Sequence, residues 1–187
     1  MQNFQKTESS KPIAWLHQIA DIPGGGVIEY EGDGVPAGTP VSIVNGRFKK
    51  YRFAVVETLA ADDATSIRIH KGHELKVGDV IKPRGGAGVS KAIATLVTTE
   101  DDYDTITVAV TLGVQLAVGD MLVIADKVGS DAVDKYEPPV GLTGEDVIEV
   151  EDGNVGVSVW VIGVLKKEYQ HPLFEYLRGD IPGIITV

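Results

Sequence analysis

The chain has 187 residues, of which 43% are hydrophobic and 24% are charged, and its formal net charge is -10 at pH 7. These proportions are those of an ordinary soluble globular protein, and the acidic balance argues against a nucleic-acid partner because phosphate binding needs a basic surface. The sequence contains no Cys, which excludes disulfides, a thiolate nucleophile and Cys-ligated zinc. Its 22 glycines and many valines favour a mainly β fold.

Residues 1–26 are predicted to form an N-terminal arm with a short helix. Residues 1–12, MQNFQKTESSKP, are polar and have no apolar period, so we expect an arm that becomes ordered when something binds it. They lack the apolar core of a secretory signal, and no stretch is apolar enough for a membrane span, so no membrane partner is expected. Residues 13–22, IAWLHQIADI, carry apolar side chains at helix-like spacing, and Pro23 with the following glycines stops the helix.

Residues 27–126 are predicted to form a β-domain. The dipeptide Asn45-Gly46 lies between two apolar runs and predicts an antiparallel hairpin with a two-residue type I′ turn. Residues 91–99, KAIATLVTT, predict a further strand, although their alanines and lysine leave a helix open.

The same region contains two near-copies of one segment. Residues 67–81, IRIHKGHELKVGDVI, superpose on residues 108–122, VAVTLGVQLAVGDML, after a shift of 41 positions. Gly72 then matches Gly113, and a Leu-x-Val-Gly-Asp pattern recurs. Each copy predicts a strand, a glycine break, a Gly-Asp turn and a second strand, so the pattern indicates one structural unit used twice. Because such turns occur in β-barrels of every function, we interpret the repeat as scaffold rather than as a binding site.

Residues 127–187 are predicted to form a hinge loop and a C-terminal β segment that packs on or completes the β-domain. Residues 155–165, VGVSVWVIGVL, are apolar on both alternating faces, which is typical of a central strand or of one covered by another subunit. Pro172 can open a short helix that Gly179 ends. Residues 184–187 are apolar and are expected to be held in the chain's own sheet or on a neighbour's edge. The chain is therefore predicted to be a β-barrel or β-sandwich with few short helices.

Candidate catalytic and metal-binding residues are few. His70 and His73 have a metal-like spacing with Glu74 adjacent, but no further ligands lie nearby and structural zinc needs four, so we interpret them as solvated turn histidines. Three acidic pairs lie between predicted strands, where polar turns are expected in any case: Asp62-Asp63, Asp101-Asp102 and Glu151-Asp152. No phosphate-binding loop or nucleophile motif occurs. We therefore expect no metal, no cofactor and no enzymatic activity.

Aromatic residues and the apolar tail are candidates for a protein interface. The choice between core packing and contact with another protein stays open for them, since aromatics near arginines are common interface anchors. The interface candidates are Phe4, Trp15, Trp160, Tyr169, Phe174, Tyr176, Ile184, Ile185 and Val187.

Two stretches resemble a known group of proteins. Residues 32–48, GDGVPAGTPVSIVNGRF, look like the opening of phage head decoration proteins, in which a glycine and Ala-Gly-Thr-Pro precede an apolar strand. Residues 155–187, with VSVWVIGVLKKEYQHPLF and the closing IPGIITV, are similar to the ends of auxiliary capsid and head fibre proteins that tailed phages encode beside their major capsid proteins. The duplicated Val-Gly-Asp unit has no counterpart in that group.

The resemblance implies a structural virion protein, assembled in the host cytoplasm, that binds the major capsid protein and stabilises the shell or anchors a display module. A homo-oligomer is expected, with a trimer favoured. The shell, the base of a fibre and the tail or baseplate are alternative positions for it. Trp15, Trp160 and the acidic turns leave a different class open, a β-barrel carbohydrate-binding or glycan-acting module.

Overall fold

The computed structural model describes residues 14–23, 25–29, 34–147 and 154–187. Phe4 and the predicted arm at residues 1–12 lie outside the described residues. The described part is mainly β, as predicted, with fourteen strands, no α-helix and two short 3-10 helices at Lys167–Tyr169 and Phe174–Leu177. The strands are β1 (Trp15–Asp21), β2 (Gly26–Glu29), β3 (Pro40–Val44), β4 (Arg47–Lys50), β5 (Phe53–Val55), β6 (Ser66–His70), β7 (Val80–Pro83), β8 (Lys91–Val97), β9 (Tyr103–Val108), β10 (Met121–Ile124), β11 (Gly141–Thr143), β12 (Asn154–Val157), β13 (Val159–Leu165) and β14 (Ile184–Thr186).

The central part of the chain forms a six-stranded sheet in the order β5-β10-β7-β8-β9-β6. This sheet curls, so that its first and last strands approach each other through an antiparallel bridge between Val56 and Ile69. A hydrogen bond of 3.0 Å from Glu57 N to Arg68 O lies beside that bridge. Inward-facing residues of the strands are fully buried, among them Ile67, Ile81, Ile106 and Leu122. The arrangement confirms the predicted barrel-like β fold.

The two Gly-Asp turns of this sheet have closely matching local geometry. Gly78 and Gly119 have φ angles of 92° and 90°, a region that side chains disfavour and glycine adopts freely. The carboxylates of Asp79 and Asp120 each accept a hydrogen bond from the backbone N–H three residues earlier, at 2.7 and 2.8 Å. These aspartates therefore close their own turns, which is the local role that the sequence pattern predicts.

The second sheet has eight strands in the order β1-β13-β11-β3-β4-β2-β12, with β14 paired to β13 as well. It combines strands from both ends of the chain, so the six-stranded sheet is an insertion between its two halves. The predicted boundaries at residues 26 and 126 do not follow this division, because β2, β3 and β4 lie in the same sheet as β11 to β14. Periodicity identifies strands but carries no information about which distant strand each one pairs with.

The predicted short helix within residues 13–22 is wrong, because Trp15–Asp21 forms strand β1, antiparallel to β13. In the register, Trp15 lies opposite Leu165 and His17 opposite Val164, so Leu16 is one extra residue on β1. Ile19 is a second extra residue between Gln18 and Ala20. Two β-bulges therefore interrupt the period-two alternation, and the disturbed spacing of apolar residues resembles that of a helix.

Three other local predictions are confirmed. Strands β3 and β4 form an antiparallel hairpin in which Asn45 and Gly46 have φ angles of 51° and 76°, both positive as a type I′ turn requires. Residues Lys91–Val97 form a strand and not a helix. The apolar tail forms β14, which pairs in parallel with β13 and so belongs to the chain's own sheet.

One hydrophobic cluster extends from the six-stranded sheet into the second sheet, and a smaller cluster lies within the second sheet. The segment between β13 and β14 covers part of the larger cluster with the buried side chains of Phe174 and Leu177. This segment is also fixed by two hydrogen bonds of 2.7 Å from the Arg84 guanidinium to the Asp180 carboxylate. Among the described residues, no helix is both long enough and apolar enough to cross a membrane.

Candidate functional site

The two ends of the described chain lie on opposite edges of the same strand. Strand β1 pairs along one edge of β13, and β14 pairs along the other edge near its end. Just beyond β13, Lys166 N donates to Ala14 O at 3.0 Å and Lys167 N donates to Val187 O at 2.6 Å. Ala14 and Val187 are therefore brought together at Lys166 and Lys167.

Five apolar side chains remain exposed on and beside these three adjacent strands. Leu16 and Ile19, the extra residues of β1, are exposed like most of that strand, and Ile162 of β13 lies opposite Ala20. On the neighbouring strand, Ile185 lies opposite Val164. We call the five residues the terminal patch; with their exposed fractions they are Leu16 (48%), Ile19 (67%), Ile162 (42%), Ile185 (57%) and Val187 (61%).

The structure separates the sequence-predicted interface residues into two groups. Trp15, Phe174 and Ile184 are buried in the chain's own core, where Trp15 Nε1 also donates a hydrogen bond of 3.2 Å to Thr143 O. Trp160 is partly buried, with its ring centroid 6.2 Å from that of Trp15.

Tyr169 is also partly buried and packs against the core, whereas Tyr176, Ile185 and Val187 are exposed. Of the predicted interface residues, only these three are exposed enough to contact a partner. Phe4 lies outside the described residues.

Three residues of the terminal patch were not among the sequence candidates. Ile162 lies in the segment that is apolar on both faces, and that pattern already indicates a strand with one face to be covered. Leu16 and Ile19 carry no comparable signal, because the sequence does not show that this segment is a strand, and its bulges are defined only by the pairing with β13.

The prediction that both histidines are solvated is wrong for His73, whose side chain is buried beside Asp104, and the two rings do not converge on one point. His73 Nε2 donates to Asp104 at 2.9 Å, Lys71 Nζ donates to the other oxygen of that carboxylate at 2.5 Å, and His73 Nδ1 accepts from Leu75 N at 3.1 Å. Burial lowers the pKa of His73, and the Asp104 carboxylate opposes the shift. His70 Nε2 instead lies 3.3 Å from the Tyr176 hydroxyl. In the part of the chain that the structure describes, no group of three or more His, Asp or Glu side chains could hold a metal ion.

Asp104 is therefore a buried carboxylate with both oxygens occupied by neighbouring cationic or donor groups. This hydrogen-bonded cluster stabilises the start of β9, and each carboxylate oxygen already accepts a hydrogen bond. The acidic residues Asp62, Asp63, Asp101 and Asp102 are exposed at turns or bends, where the sequence pattern places them, and the third pair, Glu151-Asp152, lies outside the described residues.

Comparison of the chain with protein-family models, with curated proteins and with solved structures found no match.

Proposed function

We propose that this chain is a structural virion protein that binds the outer surface of a tailed-phage capsid, as a decoration, auxiliary capsid or head fibre protein. It would stabilise the shell or anchor a display module, as a homo-oligomer with a trimer favoured. The resemblance of residues 32–48 and 155–187 to such proteins motivates the proposal. The observation that carries it further is the terminal patch, in which both chain ends contribute exposed apolar side chains beside one strand.

An exposed apolar patch of this kind suits attachment to a protein surface. Contiguous exposed apolar side chains on a soluble protein mark interaction sites more often than isolated ones do. Each half-exposed Ile or Leu that becomes fully buried contributes about 1 kcal/mol, so the five residues together supply a few kcal/mol of binding free energy. Repetition of the same contact over a capsid lattice, or within an oligomer, multiplies a weak single contact.

Co-sedimentation tests the proposal directly. Assembled tailed-phage capsid shells are mixed with the wild type or with an Ile19→Asp/Ile185→Asp variant. Because an Asp carboxylate at either position opposes burial of the terminal patch against the shell, we expect the affinity of the double variant for shells to fall at least about tenfold. The matched control is Val128→Asp, which places a charge on a loop residue of similar exposure, 55% against 57% for Ile185. Equal binding by the wild type and the double variant would contradict attachment through the terminal patch.

A tail or baseplate position is distinguished by the binding partner. A chain that fails to bind shells but sediments with purified tails belongs to the tail, and the terminal patch then serves a different contact.

A second candidate function is glycan binding. Of the two residues that motivate it in the sequence, Trp15 is buried in the core and Trp160 is partly buried against it. The feature that favours this function is a cavity of about 330 Å³ lined by residues 36–39, Gly72, Glu74 and residues 168–172, a volume within the range of small-ligand sites.

A further inference from the structure

The chain that precedes strand β1 leaves the described part of the protein close to the cavity. Ala14 O accepts a hydrogen bond of 3.0 Å from Lys166 N, just beyond the end of β13. Because β1 is antiparallel to β13, the chain before Ala14 continues in the direction that the chain takes after Lys166. Residues 168–172, a few positions after Lys166, form one wall of the cavity of about 330 Å³.

The lining of the cavity is mostly apolar, and its walls are fixed by close contacts. Ala37 belongs to the larger hydrophobic cluster, against which the partly buried Tyr169 also packs. Gly38 has a φ of 84°, and a Cβ atom there would lie 2.3 Å from Tyr169 O. Gly72 has a φ of 85°, and its Cβ would lie 2.5 Å from the Pro172 ring. The walls cannot approach each other without moving backbone, so the cavity is part of the folded structure.

The carboxylates of the lining favour an occupant with a positive charge. The lining contains Glu74 and Glu168 but no Lys or Arg. The Glu74 carboxylate accepts a hydrogen bond of 2.6 Å from Lys50 Nζ. The Glu168 side chain is 66% exposed, and its carboxylate lies 4.0 Å from Lys166 Nζ, which leaves room for a second cation. An apolar group with an ammonium group nearby therefore matches the cavity and its rim.

One donor of the lining suits a peptide backbone. His171 Nδ1 accepts a hydrogen bond from Leu173 N at 3.2 Å, so in the neutral ring the proton lies on Nε2. No residue within the described ranges accepts a hydrogen bond from this N–H. A backbone carbonyl of a bound peptide is an acceptor of the required kind.

The N-terminal segment, residues 1–13, has the composition of such an occupant. Phe4 is its only aromatic residue, and Lys6 lies two positions further along the chain. The segment also contains Lys11 and a single carboxylate, Glu8, so its charge balance is positive in a chain whose formal net charge is -10. It thus combines one aromatic anchor with a neighbouring ammonium group.

The N-terminal segment is long enough to reach the cavity of its own chain. Phe4 lies ten residues before Ala14, and an extended chain of that length spans about 33 Å. Pro172, at the far end of the nearest wall, lies six residues after Lys166 and therefore at most about 20 Å from it. Because the segment is tethered beside the cavity, its effective concentration there is high, and a weak contact is enough to hold it.

We propose that the N-terminal segment binds in the cavity of the same chain, with the Phe4 ring packed against Ala37 and Tyr169. Burial of this aromatic side chain supplies the main favourable contribution. Lys6 then lies within reach of the exposed Glu168 carboxylate, and a backbone carbonyl beside Phe4 accepts a hydrogen bond from His171 Nε2. The bound segment closes the cavity to other ligands. This contact goes beyond capsid binding and does not depend on it.

Paramagnetic relaxation in the full-length chain, without shells, tests the proposal. The sequence contains no Cys, so a Thr7→Cys substitution carries a single nitroxide label three residues from Phe4. In the ¹⁵N-labelled chain we expect the amide signals of residues 36–39, 72–74 and 168–172 to lose intensity selectively, relative to the same sample after reduction of the nitroxide. A second sample mixes ¹⁵N-labelled chain lacking the nitroxide with ¹⁴N chain that carries it, and contact within one chain produces no selective loss there.

The diagnostic variant is Phe4→Ser, which removes the anchor without changing any described residue. Because Ser cannot replace the buried aromatic ring, we expect the ratio of bound to unbound segment to fall at least about tenfold, and the selective intensity losses to disappear. Gln5→Ser, next to the anchor, is the matched control and should retain them. The proposal is overturned if the residues around the cavity lose no intensity, if Phe4→Ser shows the same losses as the unsubstituted segment, or if the losses appear only in the mixed sample.

Discussion

Replacement of His171 by Phe removes a titrating group from the contact between the C-terminal segment and the six-stranded sheet. The His171 ring stacks on Phe53 with a centroid separation of 5.4 Å. Burial, with a smaller contribution from the nearby Lys50 ammonium, lowers the pKa of His171 from 6.5 to about 4. In the unfolded chain the imidazole returns to its ordinary pKa of about 6.5.

The size and sign of the change in the free energy of unfolding with pH follow from these two pKa values. Above pH ~6.5 the imidazole is neutral in both states and does not affect the free energy of unfolding. Between about 6.5 and about 4 the unfolded chain binds a proton that the folded chain does not, so stability decreases as the pH falls. A pKa difference of about 2.5 corresponds to about 3 kcal/mol at the limit, of which about 2.5 kcal/mol is lost between pH ~7 and pH ~4.5.

Urea unfolding at these two pH values measures the loss in the free energy of unfolding. We expect the wild type to lose about 2.5 kcal/mol more than His171→Phe, because the variant keeps a stacked ring but cannot be protonated. The variant also loses the acceptor for Leu173 N, which costs about 1 kcal/mol at both pH values and leaves the difference between them unchanged. His17→Phe, on the exposed part of β1, is the matched control. Equal pH dependence in the wild type and His171→Phe would refute the reasoning.

Two further predictions concern how the segment after β13 is held. We expect Gly38→Ala to lower the free energy of unfolding by about 2 kcal/mol or more, because φ is 84° and the new Cβ would lie 2.3 Å from a backbone oxygen. Gly156→Ala, where the Cβ would meet open space, should change it by less than about 1 kcal/mol in the same urea titration, and equal effects would contradict the packing argument. In a double-mutant cycle with Arg84→Met and Asp180→Asn, we expect a coupling energy of about 1–3 kcal/mol from the paired 2.7 Å hydrogen bonds; additive effects would show that the pair is not coupled.

Features determined by local chemistry were predictable from the sequence. Asn45-Gly46 fixes its hairpin because both residues adopt positive φ, and the two Val-Gly-Asp turns close through an aspartate that bonds its own backbone. The mainly β class follows from alternation and glycine content, which also depend on near neighbours. In each case the residues that specify the structure lie within a few positions of it.

Features determined by distant pairing were not predictable in the same way. The sequence of β1 does not alternate as a regular strand does, because bulges occur at Leu16 and Ile19. These bulges are defined only by the pairing of β1 with β13. The division into two sheets joins strands about one hundred residues apart, such as β3 and β11, which pair through Val41 and Gly141. The interface candidates were affected similarly, since composition does not show which aromatic residues pack inward.

The insertion of one sheet within the other has a consequence for the order of folding during synthesis. All strands of the six-stranded sheet lie between Phe53 and Ile124, so it can form as soon as that stretch has left the ribosome. Strand β1 must wait for β13, because β13 is its only partner among the described strands. We therefore expect the terminal patch to be absent from every incomplete chain, because β13 and β14 must be present before β1 has a partner. A chain terminated before β13 would carry a formed central sheet but no terminal patch.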